Sequence, residues 1–351
     1  MGATGKTVLV LGAGFTRAFL PQAPLLTDDY GGADLARRLQ GFPHARRFVL
    51  QEMERNGSGR LNVERLLARL AAGMPYDADR GTTPELSLLA AELLRALVRR
   101  IQGSMSGPMY RDDLLAFARR CVQDGVACLT FNYDDVLDRA LLEASADLDL
   151  EGRWHPDVGY GFVFASSAAV VHAATVRTDA CRAPLLKLHG SLNWRLRLGA
   201  HPPYTIDALA HHEDWSATAT PTDADRTRIE LHLTPDPFLV PPVLAPADLA
   251  TQPILGRLWS LAYRALEQAE RVVFLGYSLP PAGLAASFLF REACGHLRPA
   301  QIQVVNLAAD EEERRNLRAS YRHVFPAIPD DRFDFQGARD WARAWSQEGS
   351  A

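Results

Sequence analysis

Short apolar runs that end at small or polar residues recur along the chain. They occupy positions 7–12, 126–130, 185–188, 271–275 and 301–305. Runs of this length, rich in Val and Leu and bounded by turn residues, are typical of strands buried on both faces. From position 126 onward they alternate with segments of helical period, as in a parallel sheet covered by helices. The pattern therefore predicts an α/β fold built on a Rossmann-like, doubly wound parallel sheet.

Helical periodicity dominates between the first two predicted strands, from position 34 to 121. The clearest helix, predicted over 83–102, places a row of apolar residues on one face: Leu86, Leu89, Leu93, Leu97 and Ile101. We expect Thr83 to be its N-cap, because Pro84 suits the first helical position. Successive helices without a strand predict a helical insertion subdomain at 33–121. The segments 1–32 and 122–351 would then form the sheet domain.

Further helices are predicted beside the later strands, at 134–142, 254–269, 280–294 and 310–320. The segment 20–32 holds two prolines and a glycine pair, which predicts a loop over the first strand end that acts as a lid. The segments 144–183 and 199–244 are irregular, with short strands expected within them, one at 169–172.

Composition limits the classes of ligand and the compartment. The formal net charge of -4 gives no electrostatic reason to expect nucleic acid as the main ligand. No apolar run reaches the roughly 18 residues that cross a membrane, and a signal-peptide pattern is lacking. The cysteines are scattered without a CxxC pair: Cys121, Cys128, Cys181 and Cys294. The sequence therefore predicts a cytoplasmic protein with no membrane span, no direct nucleic-acid binding, no metal site and no disulfide scaffold.

Small or polar residues follow every predicted strand. They form the segments GAG at 12–14, NYD at 132–134, HGS at 189–191 and GYS at 276–278, and the last is Asn306. Because the carboxyl ends of parallel strands meet at one edge of a sheet, we expect these residues to surround one cleft. The cleft would combine glycine turns for close backbone approach with a histidine, an acid and side-chain amides.

The first of these turns resembles part of a dinucleotide fingerprint. Gly12 and Gly14 match its first two glycines, but Arg17 stands in the place of the third. No acid closes a second strand at the distance that an ordinary dehydrogenase requires. The sequence therefore disfavours an ordinary dehydrogenase, although the turn still suits a phosphate-bearing ligand.

The order of these segments resembles the sirtuin family of nicotinamide dinucleotide binders. The matching segments are Gly12-Ala13-Gly14-Phe15-Thr16, Thr130-Phe131-Asn132-Tyr133-Asp134, His189-Gly190, Gly276-Tyr277-Ser278 and Val305-Asn306. The likeness covers the sheet-forming parts, about half of the chain. Deacylating sirtuins carry four zinc-binding cysteines in a ribbon, and this chain has none at such spacing. With LTFNYDDVLD and KLHGSLNW, it is similar to the bacterial sirtuin-like proteins that hydrolyse NAD, often in antiphage defence.

The resemblance implies a role for each matched position. Asn132 would hold the nicotinamide ribose or the attacking water, Asp134 the nicotinamide amide, and His189 would be the general base. The other positions implied to contact NAD are Gly12, Ala13, Gly14, Phe15 and Thr16 around the pyrophosphate, and Gly276, Tyr277, Ser278 and Asn306 towards the adenosine. Asp134 or Asp135 has a simpler interpretation too, since either would suit the N-cap of the following helix.

These residue types suit cleavage of the bond between nicotinamide and ribose. The leaving group is already cationic, so the reaction needs an oriented ribose and a delivered water more than an acid. An amide donates and accepts hydrogen bonds at once, and a histidine accepts a proton near neutral pH. We therefore expect an NAD hydrolase that releases nicotinamide and ADP-ribose, linear or cyclic.

The resemblance also implies a homo-oligomer and a partner ATPase or nucleic-acid-sensing protein that activates the hydrolase. A module that senses NAD or ADP-ribose without turning it over is an alternative function. A zinc-free protein deacylase or ADP-ribosyltransferase is a third. The histidines outside the matched segments are expected at the surface or in packing, including the adjacent pair His211 and His212, which is not expected to bind metal.

Overall fold

The computed structural model describes most of the chain. It covers residues 6–25, 28, 30–55, 59–71, 76–77, 82–148, 153–156, 158–161, 183–197, 206–208, 233–240, 253–280 and 283–348. No helix in this part of the chain is long and apolar enough to span a lipid bilayer. The strand predicted at 169–172 and the histidine pair at 211–212 lie outside the described residues.

A six-stranded parallel sheet forms the centre of the fold. The described strands are β1 (Thr7–Leu11), β2 (Ala127–Thr130), β3 (Leu185–Lys187), β4 (Gly190–Arg197), β5 (Ile206–Ala208), β6 (Leu233–Leu239), β7 (Arg271–Leu275), β8 (Ile302–Val305) and β9 (Phe333–Asp334). The large sheet has the order β3-β2-β1-β7-β8-β9, and its neighbouring strands are parallel. All five apolar runs thus form strands of one sheet, which confirms the predicted Rossmann-like α/β fold.

The strand order reverses direction between β1 and β7. The chain runs outward from β1 through β2 to β3, returns to the centre at β7 and then runs outward through β8 to β9. This is the doubly wound order in which ligands bind in the crevice between the two central strands, beyond their carboxyl ends. The fold therefore places a crevice where Gly12 follows β1 and Gly276 follows β7.

Helices lie between the strands largely where helical periodicity predicts them. The described helices are α1 (Ala13–Phe19), α2 (Gly32–Arg38), α3 (Pro43–Arg55), α4 (Val63–Ala71), α5 (Thr83–Ser104), α6 (Arg111–Asp124), α7 (Val136–Ala144), α8 (Pro253–Glu267), α9 (Leu284–Ala293), α10 (Glu311–Val324) and α11 (Ala338–Gln347). The starts of α7 and α9 lie later than expected, because polar turn residues and prolines precede them. Neither α11 nor the two-residue strand β9 is among the predicted elements.

The start of α5 differs from the prediction by one residue. Thr82 occupies the N-cap, and Thr83 lies in the first turn with Pro84. Proline is tolerated there because the backbone N–H groups of the first turn have no helical acceptor. The Thr82 hydroxyl donates instead to the carbonyl oxygen of Asp77, at 3.0 Å. The predicted cap at Thr83 is therefore wrong, although the apolar face of the helix is buried as expected.

The last helix of the predicted insertion, α6, packs against α1, α7 and α11. Its buried face includes Leu114, Phe117 and Cys121, and Gly125 ends it in the left-handed conformation that favours glycine. This end of the segment thus contacts elements on both sides of it in the chain. The division into a sheet domain and a helical insertion stays a prediction.

A second, three-stranded antiparallel sheet has the order β5-β4-β6. Its central strand begins at Gly190, so Gly190 and Ser191, which follow β3 as predicted, also start a further strand. Gly190 has a φ of +80°, and a Cβ there would lie 2.3 Å from the carbonyl oxygen of Phe238. Only Leu188 and His189 lie between β3 of the large sheet and β4 of the small one.

Backbone atoms of the turns after β1 and β7 are in direct contact. A Cβ on Gly12 would lie 2.5 Å from the Gly276 carbonyl oxygen, and a Cβ on Gly14 would lie 2.8 Å from the same atom. Gly276 has a φ of +62°, and its own Cβ would lie 2.1 Å from the backbone nitrogen of Phe15. Only glycine fits this contact, which we call the glycine interlock of Gly12, Gly14 and Gly276.

We expect Gly276→Ala to destabilise the fold more than a glycine replacement at a free turn. The left-handed backbone costs an alanine about 1–2 kcal/mol, and the steric overlap adds about 1–3 kcal/mol. Gly59→Ala is the matched control, because its φ of +67° is similar and nothing lies within 4 Å of the added Cβ. Unfolding in urea measures both free energies, and equal losses in the two variants would contradict the interlock.

Candidate active site

A cavity of about 580 Å³ opens at the crevice between β1 and β7. The residues that the sequence predicts for the site and that line the cavity are Gly12, Ala13, Gly14, Thr16, Asn132, Asp134, His189, Gly276, Tyr277, Ser278 and Asn306. They follow five different strands of the parallel sheet, as the alternation of strands and helices implies. The fold therefore brings eleven of the twelve predicted site residues to one cavity.

Phe15 does not line this cavity. Its side chain is buried and packs on Phe19 and Phe117, with ring centroids 5.0 and 5.2 Å apart respectively. As the third residue of α1, it faces the helices rather than the crevice. The structure therefore gives its side chain a packing role and no exposure to the cavity, and the contact of Phe15 with NAD stays a prediction.

The amide of Asn132 is held in one orientation. Its Nδ2 donates to the Gly12 carbonyl oxygen at 2.8 Å and to the Thr16 hydroxyl at 3.0 Å. A backbone carbonyl accepts but cannot donate, so the NH₂ group must face Gly12 and the opposite atom of the amide must be the oxygen. Asn132 thus ties its own turn to the glycine turn, and its Oδ1 is left as the free end of the amide.

Asp134 continues this hydrogen-bond chain. The Thr16 hydroxyl donates to Asp134 Oδ2 at 2.8 Å, and the backbone N–H of Val136 donates to Oδ1 at 3.2 Å. Burial raises the pKa of this carboxyl, while the nearby Lys187 charge and these donors oppose the rise. Both oxygens already accept protein hydrogen bonds, so a contact with the nicotinamide amide would have to share them.

The capping role expected of Asp134 or Asp135 belongs to Asp134. Asp135 occupies the N-cap position of α7, but its side chain makes no cap hydrogen bond. Asp134, one residue earlier, accepts from the first helical N–H instead. Asp135 is fully buried. The two interpretations of Asp134 are therefore compatible, because one carboxylate both caps the helix and reaches the cavity.

The backbone amides of the glycine turn are partly committed to other parts of the fold. Gly12 N–H donates to the Leu275 carbonyl at 3.1 Å, and Gly14 N–H donates to the Gly276 carbonyl at 2.9 Å. These hydrogen bonds stitch the turn to the end of β7. Close approach of a ligand to these glycines would therefore use their small size more than their N–H groups.

His189 lies at the wall of the cavity among aromatic side chains. Phe131 meets its ring edge to face at 5.1 Å, and the rings of Tyr133 and Trp259 lie at 6.3 and 6.5 Å. Burial lowers the pKa of His189 from 6.5 to about 4, because this apolar surrounding disfavours the imidazolium. The imidazole is therefore neutral, and able to accept a proton, at physiological pH.

Several residues that line the cavity are absent from the prediction. Tyr30, Leu97, Ile101 and Met105 form an apolar wall. The leucine periodicity of α5 predicts Leu97 and Ile101 as core, and no sequence signal says that this core face also borders a ligand cavity. Helix α10 contributes three polar residues to the lining: Glu313, Asn316 and Ser320. The only sequence signal for these three residues is their spacing, which places them on one face of the helix.

The loop predicted as a lid also lines the cavity, through Leu20, Ala23, Pro24, Leu25 and Tyr30. Arg17 Nη1 donates to Asp28 Oδ2 at 2.8 Å, and the same oxygen accepts from Leu25 N–H at 2.9 Å. The Tyr30 hydroxyl donates to the Leu25 carbonyl at 3.0 Å. Arg17, which replaces the third glycine of the fingerprint, therefore anchors the loop beside the cavity. Its opening and closing as a lid stays a prediction.

A buried polar cluster beneath the cavity also escaped the prediction. Lys187 Nζ lies 3.1 Å from Asp138 Oδ2, and both side chains are about 1% exposed. The Tyr160 hydroxyl donates to the other oxygen of Asp138, and Asn193 Nδ2 donates to that hydroxyl at 2.9 Å. Burial raises the pKa of Asp138, against the attraction of Lys187. The KLHGSLNW segment contains Lys187 and Asn193, but nothing in the sequence predicts that this lysine is buried.

Within the described residues, no group of three or more His, Cys, Asp or Glu side chains is arranged to hold a metal ion. The expectation that the site works without a metal stays a prediction.

Comparisons with known proteins give a structural likeness and no sequence match. No protein-family model matches the chain, and no curated protein matches it. A Sir2 homologue in complex with NAD is similar at 14% identity and a TM-score of 0.42, over 93% of this chain and 92% of that one. A second structure, described as a basis for the mechanism and regulation of Sir2 enzymes, has 13% identity and a TM-score of 0.43, over 99% and 93%. A mutant Sir2 homologue with ADP-ribose has 12% identity and a TM-score of 0.41, over 99% and 94%. These values are too low to carry an argument, so the conclusions below depend on the residues of this chain.

We expect His189 to make the fold sensitive to acid. Its pKa is about 4 in the native state and 6.5 as the reference value, so the unfolded chain takes up a proton first as the pH falls. Stability from this residue is complete above pH 6.5 and decreases between 6.5 and 4, by about 3 kcal/mol in total.

The measurement is urea unfolding at about pH 7 and about pH 4.5, with the parent and His189→Gln compared. His189→Gln should lose less stability on acidification than the parent. The control is His323→Gln, an exposed histidine on α10, which should behave like the parent. An identical acid loss in the parent and His189→Gln would contradict the buried, neutral imidazole.

Proposed function

We propose that this protein is an NAD hydrolase that cleaves the bond between nicotinamide and ribose. The observation that carries the proposal is the convergence of Asn132 and His189 on one cavity at the switch point of a doubly wound sheet. Dinucleotides bind at such switch points, with glycine turns beside the pyrophosphate. The motif resemblance to sirtuins, in which the same residues occur in the same order, supports NAD as the dinucleotide.

The two sides of the cavity suit the two halves of NAD. Asn132, Asp134 and His189 follow β2 and β3 on one side of the central strands, and Asn306, Asn316 and Ser320 follow β8 on the other side. Nicotinamide riboside would occupy the first side and adenosine the second, where amides and hydroxyls can bind ribose hydroxyls and adenine nitrogens. The pyrophosphate would then lie across the glycine interlock, the one place where side chains are absent from both turns.

The chemistry at the first side follows from the charges involved. As the glycosidic bond breaks, its electron pair moves to the cationic nicotinamide ring, which leaves neutral, and positive charge passes to the ribose. Water then adds to the anomeric carbon and gives up a proton. The neutral imidazole of His189 accepts that proton, while the amide of Asn132, fixed by Gly12 and Thr16, orients a ribose hydroxyl or the water through Oδ1.

A binding module that senses NAD or ADP-ribose without cleaving it is the second candidate. One observation favours it: burial makes His189 a weak base, with a pKa of about 4. Asn132 also has a structural task between its turn and the glycine turn. A deacylase or ADP-ribosyltransferase activity has no such support, and it would require an acceptor other than water at the same centre.

The wider setting belongs to the proposal as well. We infer from the resemblance that the hydrolase acts in antiphage defence in the cytoplasm. We also infer that it works as a homo-oligomer whose activity a partner ATPase or nucleic-acid-sensing protein switches on. These inferences concern the whole protein in its cell, and the described residues neither favour nor oppose them.

Incubation of the purified protein with NAD, followed by chromatography of nicotinamide and ADP-ribose, tests the proposal. Release of nicotinamide without an acyl-lysine peptide is the expected result. Binding of ADP-ribose with no nicotinamide release in any assembly state would favour the sensor. Release that depends on the peptide would favour the deacylase, and absence of binding would exclude all three functions.

We expect His189→Ala to reduce nicotinamide release by about 10²–10⁴-fold, because a positioned base contributes about that factor. Asn132→Ala should cause a loss of at least similar size, since it removes the orienting amide together with two contacts to the glycine turn. His323→Ala, at the surface of α10, is the control and should keep the parental rate. Parental activity in either site variant would refute the assigned mechanism.

The pH dependence of kcat/KM gives an independent prediction. If the buried imidazole of His189 is the base, the rate should stay flat as the pH falls from 7 to about 5 and should decrease near its pKa of about 4. An ordinary, solvated histidine would cause the decrease near 6.5. Nicotinamide release measured in buffers of constant ionic strength distinguishes the two. An acid limb near 6.5 would show that another group, or a solvated His189, acts as the base.

A further inference from the structure

Lys187 stands between the two halves of the candidate active site. It ends β3, two residues before His189, and its ammonium group donates to the backbone carbonyl of Asp134 in the other half. The same ammonium pairs with Asp138 on α7 at 3.1 Å. Lys187 therefore connects the segment that carries His189 with the turn that carries Asn132 and with the helix that follows this turn.

The contacts of the Asn132 turn form a continuous chain that starts at this lysine. Lys187 binds the Asp134 carbonyl, Asp134 Oδ2 accepts from the Thr16 hydroxyl, and that hydroxyl accepts from Asn132 Nδ2. A small cavity of about 10 Å³ borders this group, and its lining includes Thr16, Asn132, Asp134, Asp138 and Lys187. The ammonium and the Asn132 amide are thus neighbours on either side of Asp134.

Burial makes the lysine an unusual choice for a purely structural position. An ammonium that is about 1% exposed loses nearly all of its hydration, and an apolar side chain would pack there without that loss. Asp138 compensates the charge, and Tyr160 holds Asp138 in turn. Buried polar groups of this kind specify a single geometry when every member has a partner. The geometry specified here is that of the turn that bears Asn132.

We propose that Lys187, paired with Asp138, is a positioning residue that fixes the orientation of the Asn132 amide relative to His189. The proposal rests on the NAD hydrolase function proposed above. Lys187 does not line the large cavity, so it acts through Asp134 and Thr16 and touches no substrate. Backbone contacts also join the two segments, since Leu192 N–H donates to the Tyr133 carbonyl at 2.8 Å. The lysine controls the Asp134 end of the turn, which those contacts leave free.

The test is the double variant Lys187→Met/Asp138→Asn. It removes both charges together, so no unpaired charge stays buried, and the asparagine oxygen can still accept from Tyr160. The matched control is Arg69→Met/Asp77→Asn, which removes an ion pair of 2.9 Å in the predicted insertion that lines neither cavity. Nicotinamide release gives kcat and KM, calorimetry gives the affinity for ADP-ribose, and a crystal structure gives the position of the Asn132 side chain.

We expect kcat to fall by about 10²-fold in the double variant, since a displacement of about 1 Å has that effect on an oriented reaction. KM and the affinity for ADP-ribose should change little, because the adenosine side of the cavity is untouched. The separation between Asn132 Nδ2 and the Gly12 carbonyl oxygen, 2.8 Å in the parent, should lengthen beyond hydrogen-bond range. The control variant should match the parent in all of these measurements.

Other results of these measurements would overturn the positioning role, the hydrolase function, or both. Unchanged kcat, or a reduced kcat with Asn132 in its parental position, would overturn the positioning role. If the parent itself releases no nicotinamide, the proposed hydrolase is wrong, and the positioning role is then judged from the crystal structure alone. Should the double variant fail to fold, Thr16→Val removes the hydroxyl link of the same chain without burying a charge. Parental kcat in Thr16→Val would then overturn the proposal.

Discussion

Contact between two backbone turns is the constraint on which the cleft depends. The glycine interlock brings the turn after β1 against the turn after β7, with hypothetical Cβ separations of 2.1–2.8 Å. Such a contact fixes the relative height of the two central strands, and with it the floor of the crevice. The Asn132 amide then fastens a third turn to the Gly12 carbonyl at 2.8 Å. Backbone contacts and this hydrogen bond thus hold the ends of β1, β2 and β7 together, and no ligand is needed for it.

The electrostatics of the cleft follow from the charged and aromatic side chains around these strand ends. Burial and the charge of Asp135 raise the pKa of Asp134 and of Asp138, and the charge of Lys187 opposes both rises. His189, in contrast, sits among aromatic rings and is neutral. One side of the cleft is therefore backed by a polar, charged cluster, and the other by aromatic rings. In the proposed mechanism, this division separates the group that orients from the group that accepts a proton.

Much of the fold could be predicted from the sequence, because buried parallel strands leave long apolar runs and their ends leave glycine or polar residues. Five strands and the cleft positions are of this kind. A strand of two residues, β9, has no periodicity to detect. The packing of the Phe15 side chain was not predicted because a motif specifies positions along the chain, whereas the geometry of α1 turns this side chain towards Phe19 and Phe117. The burial of Lys187 was not predicted because it depends on Asp138, a partner far away in the sequence.

The junction at Leu188 and His189 has a mechanical consequence. The parallel sheet ends at Lys187 and the antiparallel sheet starts at Gly190, so His189 lies in the two-residue link between the two sheets. The backbone carbonyl of His189 accepts from Val240 N–H at 2.8 Å, beyond the end of β6. A displacement of the small sheet would therefore reach His189 from two directions, along the chain through Gly190 and through the hydrogen bond from Val240.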